Sequence, residues 1–142
     1  MTATTEPFAR ALAVELAGVA TVDIEDHAEG TIVTIKPAEP TARDLSWMEL
    51  RHGGGVVLQV GEQGGRWELD MPHDLDFMAD LIGSVIAGRV VEVFARGRSR
   101  VTVTLADGTT ETETGYDGCA GCLPLPFWRH WSRTVRYAPY RR

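Results

Sequence analysis

Short segments with the apolar pattern of β-strands, most of them alternating apolar and polar residues, recur between residues 20 and 114, and they limit the chain to a fold rich in antiparallel β-strands. Glycine, proline and acidic residues separate these segments at short intervals, which predicts that neighbouring segments pair as hairpins. Eight strands are predicted, at 20–25, 31–35, 47–52, 56–60, 66–69, 90–95, 100–105 and 109–114. The last segment is polar on both faces, which is typical of a strand at the edge of a sheet.

Two other segments have helical periodicity. Residues 6–17 carry an apolar stripe spaced by three and four residues, with a cap expected at Thr5 or Glu6. Residues 75–87 carry a broader apolar face, and acidic residues near its start complement the helix dipole. The order of elements predicts one α+β domain over residues 1–142, in which two helices pack on one face of a mainly antiparallel sheet.

The dipeptide Asp107-Gly108 between the last two predicted strands is the signal of a two-residue type I′ turn. Such a turn would pair Leu105 with Thr110 across the hairpin. A solvent-exposed ladder of one arginine and two glutamates would then lie on one face of the hairpin. Each arginine–glutamate pair would stabilise the fold by only a few tenths of a kcal/mol. Its members would be Arg100, Glu111 and Glu113.

Charge is divided unevenly along the chain. The formal net charge is -6, yet all 20 acidic residues lie within residues 1–122, and residues 123–142 carry five arginines and no acid. Lys36 is the single lysine beside 13 arginines, a bias typical of a GC-rich bacterial coding sequence. An acidic surface repels phosphate and attracts basic proteins, so we expect a protein partner rather than nucleic acid.

The C-terminal residues 115–142 are predicted to form an irregular segment rich in arginine and aromatic side chains, a combination that favours stacking and interface contacts. Three interpretations are open. Trp128 and Trp131 could cover the sheet as a structural clasp, the segment could form a surface for a protein partner, or it could contact nucleic acid. If the segment contacts nucleic acid, three further arginines could extend its basic surface, namely Arg96, Arg98 and Arg100. The residues singled out for partner binding are Trp128, Arg129, Trp131 and Arg133.

Cys119 and Cys122 form a CxxC pair. Two thiolates at this spacing can hold one zinc ion, with His130 as the nearest third ligand. A redox dithiol normally lies at the start of a helix, which Pro124 and Pro126 disfavour here. Because the sequence has no second CxxC or HxxxH, we expect two unligated thiols and no cofactor, with zinc as the alternative.

No combination of residues assembles a nucleophile, a base and oxyanion donors, so we predict a binding protein, with a small enzyme whose site is assembled across the fold as a further alternative. His73 lies among acidic residues at the start of the second helix, but helix capping explains the same residues. Glu92 is predicted to face outward, because Val91, Val93 and Ala95 make a good inner face. The sequence also lacks a P-loop and a GxGxxG motif.

The start of the sequence does not resemble a secretory signal, and no apolar run approaches the ~20 residues that span a bilayer, so we expect a cytoplasmic protein with no membrane contact. Size and acidity predict a small bacterial protein-binding module, such as an immunity-type inhibitor that masks a basic partner protein. The alternatives are a zinc- or thiol-dependent protein built on the CxxC pair and a nucleic-acid contact through the C-terminal segment. The acidic residues expected to meet the partner are Asp76, Asp80, Glu111, Glu113 and Asp117.

Overall fold

The computed structural model describes residues 4–118 and 132–141. Within these ranges the chain forms two helices and nine strands, which confirms the predicted α+β class. Neither helix is long and apolar enough to cross a membrane. In chain order the elements are α1 (Glu6–Glu15), β1 (Ala20–His27), β2 (Gly30–Pro37), β3 (Leu45–Leu50), β4 (Gly55–Gln59), β5 (Arg66–Asp70), α2 (Leu75–Ile86), β6 (Val90–Ala95), β7 (Arg98–Thr104), β8 (Thr110–Tyr116) and β9 (Arg133–Arg136).

The first sheet is a meander of five antiparallel strands in the order β1-β2-β3-β4-β5. Its inner face carries buried apolar side chains such as Ile35, Trp47 and Leu58. These side chains share one continuous core with Leu12 of α1, Leu81 of α2 and the apolar side chains of the second sheet. Both helices therefore lie on the inner face, and the opposite face, which we call the outer face, points away from the core.

The second sheet has the strand order β8-β7-β6-β9, and β8 lies at its edge as predicted. The prediction that residues 115–142 are irregular is wrong for β9, which pairs antiparallel with β6 so that Arg133 lies opposite Phe94. The backbone groups along the free edge of β6 need hydrogen-bond partners, and β9 supplies them. The β9 segment has only four residues, with an arginine at each end, so its sequence shows no apolar alternation that would predict a strand.

The hairpin between β7 and β8 has a three-residue loop instead of the predicted two-residue turn. The Leu105 N–H donates to the Thr109 carbonyl at 2.8 Å, and Gly108 closes the loop with a φ of 88°. A three-residue loop that ends in a left-handed glycine is a common hairpin connection. The Asp-Gly signal therefore located the hairpin correctly but gave the wrong loop length.

The longer loop shifts the pairing of β7 with β8 by one residue from the predicted register. Every β8 side chain therefore lies on the face of the sheet opposite to the predicted one. Glu111 lies opposite Val103, and Glu113 likewise shares the face of buried valines. Arg100 lies opposite Thr114 and donates to its hydroxyl at 3.0 Å. The predicted ladder between Arg100 and the two glutamates is therefore wrong.

The start of α1 is held by a carboxylate from the first sheet. Glu49 of β3 accepts hydrogen bonds from the Thr4 N–H at 2.7 Å, the Thr5 N–H at 2.8 Å and the Thr5 hydroxyl at 2.6 Å. The indole N–H of Trp47 donates to the Thr5 hydroxyl at 3.1 Å. Thr5 is the N-cap residue, as expected, but its hydroxyl bonds to Glu49 and does not cap the helix itself.

Candidate functional site

The outer face of the first sheet carries apolar side chains where an antiparallel sheet usually exposes polar ones. The strand register aligns Ile32, Met48 and Val57 side by side on the three central strands, and we call them the apolar row. Glu25 on β1 and Glu68 on β5 continue the same line at its two ends. Three half-buried apolar side chains therefore lie between two exposed carboxylates.

An open groove of about 860 Å³ lies over the apolar row. Leu50 also lines this groove and is 41% exposed, which extends the apolar surface beyond the row. A concave apolar surface with polar groups at its margin is typical of an interaction site. This groove is larger than three other recesses in the described part of the chain, which measure about 500, 570 and 340 Å³.

Acidic residues outnumber lysine and arginine around the groove. The basic residues on the outer face are Lys36 and Arg66, and the Arg66 guanidinium lies 3.8 Å from the Glu68 carboxylate. The carboxylates that surround the apolar row form what we call the acidic rim, which consists of Asp23, Glu25, Glu68, Asp70 and Asp74. The rim gives the groove a net negative charge.

Asp74 is a fixed negative charge at one end of the groove. Its carboxylate accepts a hydrogen bond from the Asp70 N–H at 2.8 Å and lies 3.1 Å from Nδ1 of His73. The Asp70 N–H, with a further contribution from His73, holds the pKa of Asp74 below its ordinary value. Asp74 is the N-cap residue of α2, but its side chain makes no capping hydrogen bond to the helix, contrary to the capping interpretation.

The acidic residues predicted to meet a partner lie on elements other than the outer face. Asp76 and Asp80 are exposed on α2. Glu113 and Asp117 are exposed on and after β8, and Glu111 is half-buried. The structure therefore divides these five residues between two surfaces, and their role in binding stays a prediction.

Several predicted site residues lie outside the described ranges, namely Cys119, Cys122, Trp128, Arg129, His130 and Trp131. Within residues 4–118 and 132–141, no three histidine, cysteine or carboxylate side chains are grouped so that they could hold a metal ion. Two of the histidines each lie beside a single carboxylate: Nε2 of His27 is 3.3 Å from the Glu25 carboxylate, and Nδ1 of His73 is 3.1 Å from that of Asp74.

The described part of the C-terminal segment is docked against the body of the protein. Tyr140 is 3% exposed, and its hydroxyl donates to the Arg43 carbonyl at 2.6 Å. The Arg141 guanidinium donates to the Glu15 carbonyl. Residues 132–141 therefore act as a clasp, in which Tyr137 and Tyr140 make partly buried hydrogen bonds. The interpretation in which Trp128 and Trp131 cover the sheet lies outside the described residues. Arg98 is 6% exposed, so it cannot join Arg96 in a basic patch on the surface.

Glu92 is fully buried, so the prediction that it faces outward is wrong. Its carboxylate accepts hydrogen bonds from the Glu62 N–H at 2.7 Å and the Tyr137 hydroxyl at 2.8 Å, and the Arg43 guanidinium lies 3.9 Å away. Burial, together with the hydrogen bond to Glu92, raises the pKa of Tyr137 to about 12. Both strand faces of β6 carry valine, so the sequence pattern could not show which face is buried. The partners of Glu92 also come from distant parts of the chain.

Comparison with known proteins identifies no relative: the chain matches no family model, no curated protein and no solved structure.

Proposed function

We propose that this chain is a protein-binding module that uses the apolar row and the acidic rim to bind a basic, partly apolar segment of a partner protein. The observation that carries the proposal is the apolar row itself. The next line of outer-face residues across the same three strands is polar, consisting of Thr34, Ser46 and Gln59. The apolar character is thus concentrated in one strip and is not a general property of the outer face.

The size of the hydrophobic contribution indicates what else the partner must supply. Fully burying an exposed isoleucine, methionine or valine side chain is worth roughly 1.5–3 kcal/mol. Because the side chains of the row are already half-buried, a partner would gain about 1 kcal/mol from each. Association costs roughly 4–15 kcal/mol in lost freedom, so the row alone cannot hold a complex. Basic side chains that meet the acidic rim would supply further attraction and set the orientation.

The narrower form of the proposal is a cytoplasmic bacterial inhibitor of the immunity type, which masks a basic partner protein. The net charge of -6 and the acidic rim support a basic partner. Such an inhibitor needs a preformed surface and no catalytic groups, and the outer face offers a surface of this kind.

The proposal is tested with a blocked synthetic peptide in which arginine and leucine alternate. Met48→Lys places a positive charge at the centre of the apolar row, and we expect it to weaken peptide binding about tenfold or more, as measured by calorimetric titration. The matched control is Thr102→Lys, which adds the same charge to the outward side of the second sheet. Thermal unfolding of both variants checks that each remains folded.

Two results would contradict the proposal. Equal weakening by Met48→Lys and Thr102→Lys would assign the effect to net charge instead of the groove. An unchanged affinity in the folded Met48→Lys variant would exclude the apolar row as the binding surface. A second peptide, in which glutamate replaces arginine, must bind more weakly than the basic peptide if the acidic rim selects the partner.

A further inference from the structure

The strand β1 forms one edge of the first sheet. It is eight residues long and pairs residue by residue with β2 over its whole length, without a bulge. Proteins usually shorten, bulge or cover the edges of their sheets, because unpaired backbone groups at an edge can pair with another strand. Within the described part of the chain, β1 pairs with β2 alone. The edge of β1 is therefore long and regular enough to accept one further strand.

The backbone groups that point to this edge follow from the pairing with β2. In an antiparallel pair, alternate residues direct their N–H and C=O groups towards the partner strand, and the residues between them direct theirs away. The Ala38 N–H donates to the Val19 carbonyl at 2.8 Å, so the odd-numbered residues of β1 are those that bond to β2. The even-numbered residues Val22 and Ile24 therefore present two N–H donors and two carbonyl acceptors at the free edge.

The inner side of this edge opens onto an apolar recess. Val22 and Ile24 are half-buried against the core, and a recess of about 570 Å³ lies beside them between β1 and α1. Val14 of α1 lines the same recess and is 79% exposed. Glu6 and Arg10 also line it and form an ion pair with each other at 2.6 Å. Apolar side chains of an added strand would therefore cover exposed apolar surface here.

The charges along the β1 edge are mainly acidic. Asp23 and Glu25 point to the outer face and are exposed, and Asp26 lines the recess. The basic groups nearby are Lys36 of β2 and His27, whose Nε2 lies 3.3 Å from the Glu25 carboxylate. Three carboxylates thus face one lysine and one histidine. Basic side chains of an added strand would therefore meet a net negative charge on the outer face.

We propose that the free edge of β1 binds an extended segment of a partner protein as an added antiparallel strand, in which basic and apolar residues alternate. The apolar residues would cover the recess, and the basic residues would meet Asp23 and Glu25. Strand addition of this kind draws its affinity from backbone hydrogen bonds and its specificity from alternate side chains. The inference extends the proposed function to a second surface, since the apolar row does not line the recess.

A second copy of this chain is a poor occupant of the edge. Antiparallel pairing of two β1 strands about their centres would bring Asp23 and Glu25 of one copy beside those of the other. Like charges on directly opposite strand positions destabilise the pairing. The same carboxylates that attract a basic segment therefore oppose self-association.

The test uses the blocked arginine–leucine peptide and two methylated forms of it, with affinity read from the NMR shifts of the Val22 and Ile24 amides. Leucines opposite these residues direct their N–H groups towards β1, and arginines direct theirs away. Methylation of the leucine backbone nitrogens should weaken binding about tenfold or more, because the bonds across the edge are lost. Methylation of the arginine backbone nitrogens keeps the charge and the number of methyl groups, and should change the affinity by less than about twofold.

A pair of variants tests the recess. Val14→Lys places a positive charge where the leucines should lie, and we expect it to weaken binding several-fold. The matched control is Ala11→Lys, which adds the same charge to an exposed position of α1 that does not line the recess. Both positions are exposed, and thermal unfolding checks that both variants remain folded.

Hydrogen exchange locates the added strand. Slower exchange of the Val22 and Ile24 amides with the unmodified peptide, lost with the leucine-methylated peptide, supports the proposal. Equal weakening by the two methylated peptides, stronger weakening by arginine methylation, or equal effects of Val14→Lys and Ala11→Lys overturn it. Peptide binding without protection of Val22 and Ile24 also overturns it but leaves the groove proposal standing. The Met48→Lys variant should retain this protection, so the failure of either proposal is separable from that of the other.

Discussion

Glu92 joins three segments that are far apart in the sequence. Its carboxylate receives the Glu62 N–H from the loop after β4 and the Tyr137 hydroxyl from the residues after β9, and it lies near Arg43 from the segment before β3. A buried carboxylate is tolerated when hydrogen bonds and a nearby cation replace its water, and here all of these come from tertiary structure. The clasp formed by residues 132–141 is therefore anchored by the buried Glu92 carboxylate and by Tyr140 as well as by β-pairing.

The pair formed by Tyr137 and Glu92 predicts a loss of stability at alkaline pH. The pKa of Tyr137 rises from its ordinary value of 10.0 to about 12 in the folded protein. A raised folded pKa contributes stability that is complete below pH 10 and is lost as the pH rises through about 12. We expect the free energy of unfolding in urea to fall less steeply over this range in Tyr137→Phe than in the natural chain. Parallel curves for the two proteins would show that Tyr137 does not control the alkaline loss.

At the scale of single elements, α1 depends on a carboxylate that belongs to β3. We expect Glu49→Gln to lower the free energy of unfolding by about 1–3 kcal/mol, because an amide cannot accept the three hydrogen bonds from Thr4 and Thr5 equally well. Hydrogen exchange of the α1 amides should accelerate more than exchange in α2. The control is Glu6→Gln, which removes an exposed ion pair with Arg10 on the same helix and should cost at most about 0.5 kcal/mol. Equal effects of the two substitutions would show that Glu49 does not anchor α1.

The elements that the sequence predicts well are those defined by local periodicity. Both helices and eight of the nine described strands are found where alternation or a helical stripe indicates them. The sequence does not show β9, the hairpin register or the burial of Glu92, because each depends on contacts between distant segments. The apolar row is hidden for the same reason. Ile32 belongs to a strand that is apolar on both faces, and only the pairing of β2, β3 and β4 aligns it with Met48 and Val57.

At the scale of the whole molecule, docking of the C-terminal segment redistributes the charge that the sequence divides so sharply. Arg141 bonds to the backbone at the end of α1, and the Arg133 guanidinium lies over the Phe94 ring of β6. Arg133 and Arg141 therefore lie against the body of the protein and do not form a separate basic arm. Carboxylates outnumber basic side chains among the described residues, with Asp76 and Asp80 exposed on α2, so the long-range field of this part of the chain attracts positive charge.

This field predicts how the acidic residues outside the groove contribute to binding. Reversal of the α2 pair by Asp76→Lys and Asp80→Lys should slow association of the arginine–leucine peptide several-fold at low salt without unfolding the protein, because these charges steer the encounter. The same is expected for Glu111→Lys combined with Glu113→Lys on β8. Stopped-flow measurements should show that the difference from the natural chain shrinks as salt rises, since the screening length is only about 10 Å at 0.1 M. The dissociation rate should stay constant, because neither pair lies in the groove. A faster dissociation rate would instead place these carboxylates in direct contact with the peptide, and an unchanged association rate at low salt would remove them from binding altogether.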